Sequence, residues 1–214
     1  MKIDENLSTG QDYTLKIEES VKRLERYTSD VLNFSRNART IVSPNKIALT
    51  LFIKNCYQQL GLRYLESVKC KCMELIVENN GSEFIYTDRY RLKLILSNIF
   101  SNAIKYRDKS KSMGTIKVRY LVTRSSFLIG IDDNGVGIKP SDINKIFNMF
   151  HRANLNSTGS GIGLYIVKEV VKKLNGTVSV DSEIKNLTSF KIKLPNMHEK
   201  WEVTNENKVL LVKD

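Results

Sequence analysis

Leu92-Lys93-Leu94-Ile95-Leu96-Ser97-Asn98-Ile99-Phe100-Ser101-Asn102-Ala103-Ile104-Lys105-Tyr106 carries two patterns on one segment. Leu92, Ile95, Leu96, Ile99, Ala103 and Ile104 recur at helical spacing and give a broad apolar face, which predicts a helix over 89–106 with Asp88 as its cap. At about 100° per residue, Asn98, Asn102 and Lys105 fall on one polar seam beside that face. An Asn carbonyl is a hard neutral oxygen ligand suited to Mg²⁺, and a Lys ammonium is a point charge for phosphate. Taken alone, two amides on a helix describe a solvated edge equally well.

Downstream, the pattern predicts strands over 115–123 and 127–132, joined at Arg124-Ser125-Ser126. The second runs into Asp132-Asp133-Asn134-Gly135-Val136-Gly137-Ile138. A carboxylate at a strand end can accept a hydrogen bond from an exocyclic amine, and the glycines let backbone approach a flat base, although Asp-Asn-Gly is also an ordinary turn. Gly159-Ser160-Gly161-Ile162-Gly163-Leu164 then opens a helix predicted over 162–174, where consecutive amides at the helix start form an anion site. No Gly-Lys-Ser/Thr follows, which separates it from a P-loop. Strands over 177–182 and 189–194 close the series.

Upstream, Ile17, Val21, Leu24, Thr28, Val31 and Ser35 alternate spacings of four and three and predict a helix over 15–35 whose stripe wants a partner; Glu18-Glu19 suits its start. Ser43-Pro44 breaks the pattern, and a second helix is expected over 46 to about 60, weakened or ended by Gly61. The segments 73–78 and 83–87, separated by Asn79-Asn80-Gly81, read as a hairpin. The sum is an α+β fold: a two-layer sandwich of a mixed, mainly antiparallel sheet with helices on one face, preceded by a long amphipathic helix. The expected division is 1–42 as a partial dimerisation region, 43–197 as the main domain and 198–214 as a tail.

The chain has 214 residues, 41% apolar, with a formal net charge of +11. No run of 18 apolar residues occurs and no secretory signal opens the chain, so a cytoplasmic location is expected, with membrane attachment only through segments upstream. Cys56, Cys70 and Cys72 lack zinc-site spacing and are expected as reduced thiols. Lysines and arginines are spread along the chain without a basic arm, so a nucleic-acid reading rests on net charge alone and no nucleic-acid partner is expected.

Taken in order, Asn98-x-x-x-Asn102-x-x-Lys105-Tyr106, Asp133-x-Gly135-x-Gly137, Ile146-Phe147-x-x-Phe150-x-Arg152 and Gly159-x-Gly161-x-Gly163-Leu164 resemble the N, G1, F and G2 boxes of sensor histidine kinases. The resemblance runs over roughly 68–195 and implies an ATP-binding fold shared with gyrase-type topoisomerases, the ninety-kilodalton chaperone and mismatch-repair ATPases. It implies that Asn102 binds Mg²⁺ with Asn98 one turn earlier, that Lys105, Tyr106 and Arg152 contact nucleotide, and that Asp133 reads the adenine amine in a pocket shaped by Gly135 and Gly137. Residues 150–160 resemble the lid over the phosphates, with Gly159, Ser160, Gly161, Ile162, Gly163 and Leu164 at its far end.

The helix ending Val31-Leu32-Asn33-Phe34-Ser35-Arg36 is similar to the second dimerisation helix of that family. This implies a homodimer in a parent protein, a receiver or response-regulator partner, and a phosphoacceptor histidine outside this chain, since His151 and His198 occupy neither required place. A fragment of a longer kinase is the expectation. Lys208-Val209-Leu210-Leu211-Val212-Lys213-Asp214 resembles the first strand of a receiver domain, or closes a terminal hairpin with 201–203. Two other functions fit the same boxes: a serine-directed kinase of the anti-sigma-factor type, which would not need the helix over 15–35, and a non-catalytic nucleotide-sensing module.

Overall fold

The computed structural model describes residues 2–65, 73–152 and 160–197. Helix α1 (Lys2–Arg39) leads through a short linker to strand β1 (Pro44–Ala48) and helix α2 (Leu49–Leu65). Strands β2 (Met73–Gly81) and β3 (Phe84–Asp88) precede helix α3 (Arg89–Lys105), and the hairpin of β4 (Gly114–Val122) and β5 (Ser126–Asp133) follows. The short α4 (Pro140–Ile143), helix α5 (Gly163–Lys173) and the hairpin of β6 (Thr177–Glu183) and β7 (Leu187–Pro195) complete the described chain.

The main sheet has the order β2-β4-β5-β7-β6, with one parallel pair, β2 with β4, and antiparallel pairs elsewhere. Alternation along the strands puts Ile116, Val118 and Tyr120 of β4, Phe127, Ile129 and Ile131 of β5, and Phe190, Ile192 and Leu194 of β7 in the core. The intervening Arg119, Leu121, Leu128, Lys191 and Lys193 are exposed. Helix α3 fills the other layer with Leu92, Ile95, Leu96, Ile99 and Phe100, and α5 adds Ile166, Val167, Val170 and Val171. Each such aliphatic side chain contributes about 1.5–3 kcal/mol by leaving water. This is the expected two-layer α+β sandwich, its predicted elements at 89–106, 115–123, 127–132, 162–174, 177–182 and 189–194 each found within a residue or two.

Three upstream expectations are corrected. Residues 46–48 belong to strand β1, not to a helix over 46–60, because Pro44 holds the chain extended and Asn45, Lys46 and Ile47 pair with Thr87, Tyr86 and Ile85 of β3. The helix begins at Leu49, whose amide donates to Glu83 O at 2.9 Å, and it continues through Gly61, since one glycine costs only about 1 kcal/mol in a helix interior. The hairpin expected between 73–78 and 83–87 does not form. Strand β2 instead pairs in parallel with β4, and β3 pairs with β1 in a separate two-stranded sheet. Parallel neighbours need a crossover, which α3 supplies. Asn79 and Gly81 continue the strand, and a Cβ at Gly81 would lie 3.3 Å from Val122 O, so that glycine serves close pairing rather than a turn.

Helix α1 also extends beyond the predicted 15–35, so Glu18 lies inside it and pairs with Lys22 one turn on at 2.6 Å rather than starting the helix. Its last turns dock on the domain: Phe34 meets Tyr165 with ring centroids 5.7 Å apart, and Asn33 Oδ1 accepts from the Tyr90 hydroxyl at 2.9 Å. Ile17, Val21, Leu24 and Val31 stay exposed.

The junction is held by Arg91, whose side chain is 1% exposed. Its Nε donates to Asn37 Oδ1 at 2.9 Å, its Nη2 to Asn37 O at 3.0 Å and Thr40 O at 2.7 Å, and its Nη1 to Ile41 O at 3.2 Å and Asp88 Oδ2 at 2.6 Å. Asp88 Oδ1 caps α3 by accepting the Arg91 amide at 2.9 Å, and Oδ2 also accepts the Ser43 amide at 3.0 Å. Removing one member of a buried pair leaves the other uncompensated and costs about 3–5 kcal/mol. Arg91→Ala is therefore expected to lower stability by about that amount in urea unfolding and to speed tryptic cleavage after Arg39; an unchanged midpoint would show that the guanidinium holds nothing.

Candidate functional site

The C-terminal half of α3 is where the segments singled out in the sequence meet, and glycines set how closely. At the helix end, Tyr106 O accepts the Val136 amide at 3.0 Å, and a Cβ at Gly135 would stand 2.6 Å from that same oxygen. No other residue seats the 134–137 loop there without moving it. Gly137 has φ +75°, and a Cβ on it would come within 2.4 Å of Glu183 O. The Lys185 amide donates to Val136 O at 3.0 Å, so the β6–β7 turn braces the loop from behind.

About two turns earlier on α3, Asn98 Nδ2 donates to Leu94 O at 2.8 Å, which turns Oδ1 toward the start of α5. A Cβ at Gly163 would lie 2.6 Å from that oxygen. Gly161 has φ +73° and packs against the Phe150 and His151 backbone, with the Phe150 amide donating to Gly161 O at 3.0 Å. The four sequence boxes are thus joined in space by contacts only glycine permits.

Asp133 ends β5 with 8% of its surface exposed. Its Oδ1 accepts the Gly135 amide at 3.0 Å, and among the described residues nothing donates to Oδ2. Burial pushes its carboxyl up to about 6; the Gly135 amide works the other way, neighbouring Asp132 adds to the rise, and Lys111 opposes it. A carboxylate at a strand end, with one oxygen fixed and one available, is an acceptor waiting for a donor.

Asn102 and Lys105 are half-buried on the same seam, with the Lys105 ammonium 4.6 Å from the Tyr106 ring centre. Ser160 Oγ accepts the Ile162 amide at 3.2 Å and donates to Asp30 Oδ2 of α1 at 2.5 Å. Ile162 is 1% exposed and Leu164 packs on the core, so these two offer backbone rather than side chain to any ligand. Arg152 is half-buried at the far side of α4, and His151 Nε2 lies 3.4 Å from Asp142 Oδ1. Gly159 and most of the expected lid lie outside the described residues, as do Cys70, Cys72, His198 and the 198–214 tail.

Two site neighbours were not anticipated. Thr188, 5% exposed, stands directly across the β5–β7 ladder from Asp133 and shares a 2.9 Å hydrogen bond with Ser182. The available signal was Thr188, a polar residue in the alternating register that Phe190, Ile192 and Leu194 carry into the core. Lys111 Nζ donates to Asn134 O at 2.7 Å from a polar loop that carries no such signal.

Residues 87–198 match the family described as histidine kinase-, DNA gyrase B-, and HSP90-like ATPase. The chain is 35% identical over 133 residues to the autoinducer 2 sensor kinase/phosphatase LuxQ of Vibrio parahaemolyticus, a match covering 58% of this chain and 16% of that protein. It is 28% identical over 180 residues to the sensor protein CiaH of Streptococcus pneumoniae, covering 82% of this chain and 39% of the relative. Full-length ShkA, solved in complex with AMPPNP, superposes with a TM-score of 0.68 at 23% identity over 86% of this chain and 38% of its own, a likeness of fold. The chain belongs to this ATPase family. Within the family it is an ATP-binding catalytic domain of the sensor histidine kinase kind, spanning well under half the length of the relatives just named.

Because Asp133 is harder to ionise folded than unfolded, the folded state holds its proton to higher pH, and stability falls as pH rises from the unfolded value near 4 toward about 6. Asp133→Asn keeps the acceptor for the Gly135 amide and removes the charge. The variant without nucleotide is expected to melt higher than the parent at pH 7.5, with the difference vanishing near pH 4 in thermal scans; a lower melting point at pH 7.5 would place the carboxylate in a stabilising role.

Proposed function

We propose that this domain binds Mg²⁺-ATP between α3, the 134–137 loop and the start of α5, and delivers the γ-phosphate to a histidine. The carrying observation is the buried Asp133 carboxylate with one oxygen pinned by Gly135 and the other uncommitted, on a loop that its glycines seat against Tyr106 O and Glu183 O. That arrangement fits an adenine whose exocyclic amine donates to Asp133 and whose ring slides over Gly135 and Gly137.

The phosphate end fits as well. Mg²⁺ is commonly held by one or two protein oxygens together with phosphate oxygens and water, and the half-buried amide of Asn102 offers one such oxygen. Mg²⁺, when bound, neutralises phosphate charge and orients the transferred group. Asn98, held by Leu94 O and close against Gly163, supports the Asn102 side of the seam; Lys105, Tyr106 and Arg152 are assigned to nucleotide contact; and the Ser160-Gly161-Ile162-Gly163-Leu164 backbone would face the phosphates at the dipole-positive start of α5.

Residues 1–42 serve as the second helix of a dimerisation region, 43–197 as the catalytic domain, and 198–214 as a tail or the opening of a receiver-like segment. The exposed Ile17, Val21, Leu24 and Val31 on α1 support a homodimeric parent and a histidine kinase over a serine-directed kinase. The acceptor is a histidine other than His151, which sits beside Asp142, and the phosphoryl group passes on to a receiver domain. Among the described residues no helix is long and apolar enough to cross a membrane, and we place the domain on the cytoplasmic side.

Calorimetry tests the site. Asp133→Asn is expected to weaken ATP by about 1–3 kcal/mol, since an amine and an amide N–H are mispaired, while Asn102→Ala abolishes the Mg²⁺ dependence of binding and leaves the fold intact. Affinity for ATP in the parent is expected to drop as pH falls through about 6, where Asp133 takes up its proton. Wild-type affinity in Asp133→Asn would put the base elsewhere. Incubated with labelled ATP, the chain is expected to acquire no acid-labile phosphate by itself and to phosphorylate an added helix carrying the acceptor histidine; label on His151 would overturn the assignment.

A further inference from the structure

At the opposite end of α3 from the nucleotide seam, a cleft of about 480 Å³ opens between the last turns of α1, the linker, α2 and the start of α3. This volume is in the range of small-molecule sites. Its wall is electrostatically one-sided, with Arg36, Arg89, Arg91 and Lys93 against a single carboxylate, Asp88. Asp88 is already committed: its oxygens accept the Ser43 amide, the Arg91 amide and the Arg91 guanidinium, so it neutralises Arg91 and nothing else.

The other three cations are left over. None of Arg36, Arg89 and Lys93 forms an ion pair with a carboxylate among the described residues, although ion pairs do form at Lys22, Lys117, Arg119 and Lys191 on the open surface. Two of them are held in place by aromatic rings instead: Arg36 lies 4.5 Å from the Tyr90 ring centre and Arg89 4.9 Å from that of Phe52. A guanidinium stacked on a ring keeps its edge donors free and its orientation fixed, which lowers the entropy lost when an oxyanion arrives. The wall adds the amides of Asn45, Asn55 and Gln59 as neutral donors.

We propose that this cleft is a second ligand site, separate from the nucleotide seam, that takes a small multivalent anion of the phosphate class. A monocarboxylate would leave most of the positive charge uncompensated, whereas two linked phosphates match two fixed guanidinium edges and one mobile ammonium. The ligand bridges Arg36 on α1 to Arg89 and Lys93 on α3, and so spans the helix and the catalytic domain.

Inorganic pyrophosphate titrated into the ¹⁵N-labelled full chain, without Mg²⁺ and at constant ionic strength, tests this. Saturable shifts are expected at the amides of Arg36, Ser43 and 89–93, with a Kd at or below about 1 mM. The double variant Arg89→Ala/Lys93→Ala is expected to weaken binding at least tenfold, Arg36→Gln several-fold, and Lys193→Ala on the exposed sheet face not at all, each spectrum reporting the fold of its variant. Shifts that grow linearly without saturation, shifts confined to 161–164, or equal loss in the Lys193 variant would overturn the proposal. Failure here leaves the ATP site untouched, because Mg²⁺-ATP is added to a separate sample of the same chain and read at Gly135, Gly137 and Gly161.

Discussion

Arg91 carries a permanent charge into a place where 1% of its side chain reaches water, and it survives there because every face of the guanidinium has a partner. Asp88 balances the charge, and carbonyls of Asn37, Thr40 and Ile41 take the remaining donors. Those carbonyls belong to the end of α1 and the linker, where helix termini leave acceptors unsatisfied. One side chain therefore closes the open end of one helix while its own carboxylate partner caps the next. Position along α1, the entry of β1 and the direction of α3 follow from that junction.

Helix α3 transmits the order to the site. Its N-terminus is pinned at Asp88 and its body is buried through Leu92, Ile95, Leu96, Ile99 and Phe100, so Asn98, Asn102 and the Tyr106 carbonyl are presented at fixed heights. The other two walls are then seated on it through glycine, at Tyr106 O for the 134–137 loop and at Asn98 Oδ1 for α5. The candidate site is thus built by backbone approaching a rigid helix, with the buried Asp133 carboxylate beside it holding one oxygen on the Gly135 amide.

The elements with strong periodicity were legible in the sequence. The apolar stripe of α3, the alternation of β4, β5 and β7 and the Asp88 cap each follow from local chemistry, whereas Asn98, Asn102, Asp133 and the glycines stood out only by their combined order along the chain. What escaped was non-local. Asn79-Asn80-Gly81 has the composition of a turn, yet the sheet recruits it as strand because β4 offers a parallel edge. Ile47 falls inside the helix expected over 46–60, yet Pro44 and the pairing with Ile85 make it a strand residue. Arg91 reads as one more surface cation on a helix, and nothing local announces that three carbonyls from the end of α1 and the linker after it converge on it.

The parallel pairing of Met73 with Gly114 also constrains the order in which the chain can assemble. Strand β2 leaves its translation point with no neighbour to join, and the loop-closure entropy of reaching β4 is recovered only once α3 has formed the crossover. Until then a nine-residue strand containing Leu75, Ile76 and Val77 presents bare backbone, and in the finished sheet it remains an outer edge. Glu74 and Glu78, both exposed, place charge along that edge and disfavour its annealing to another chain in transit.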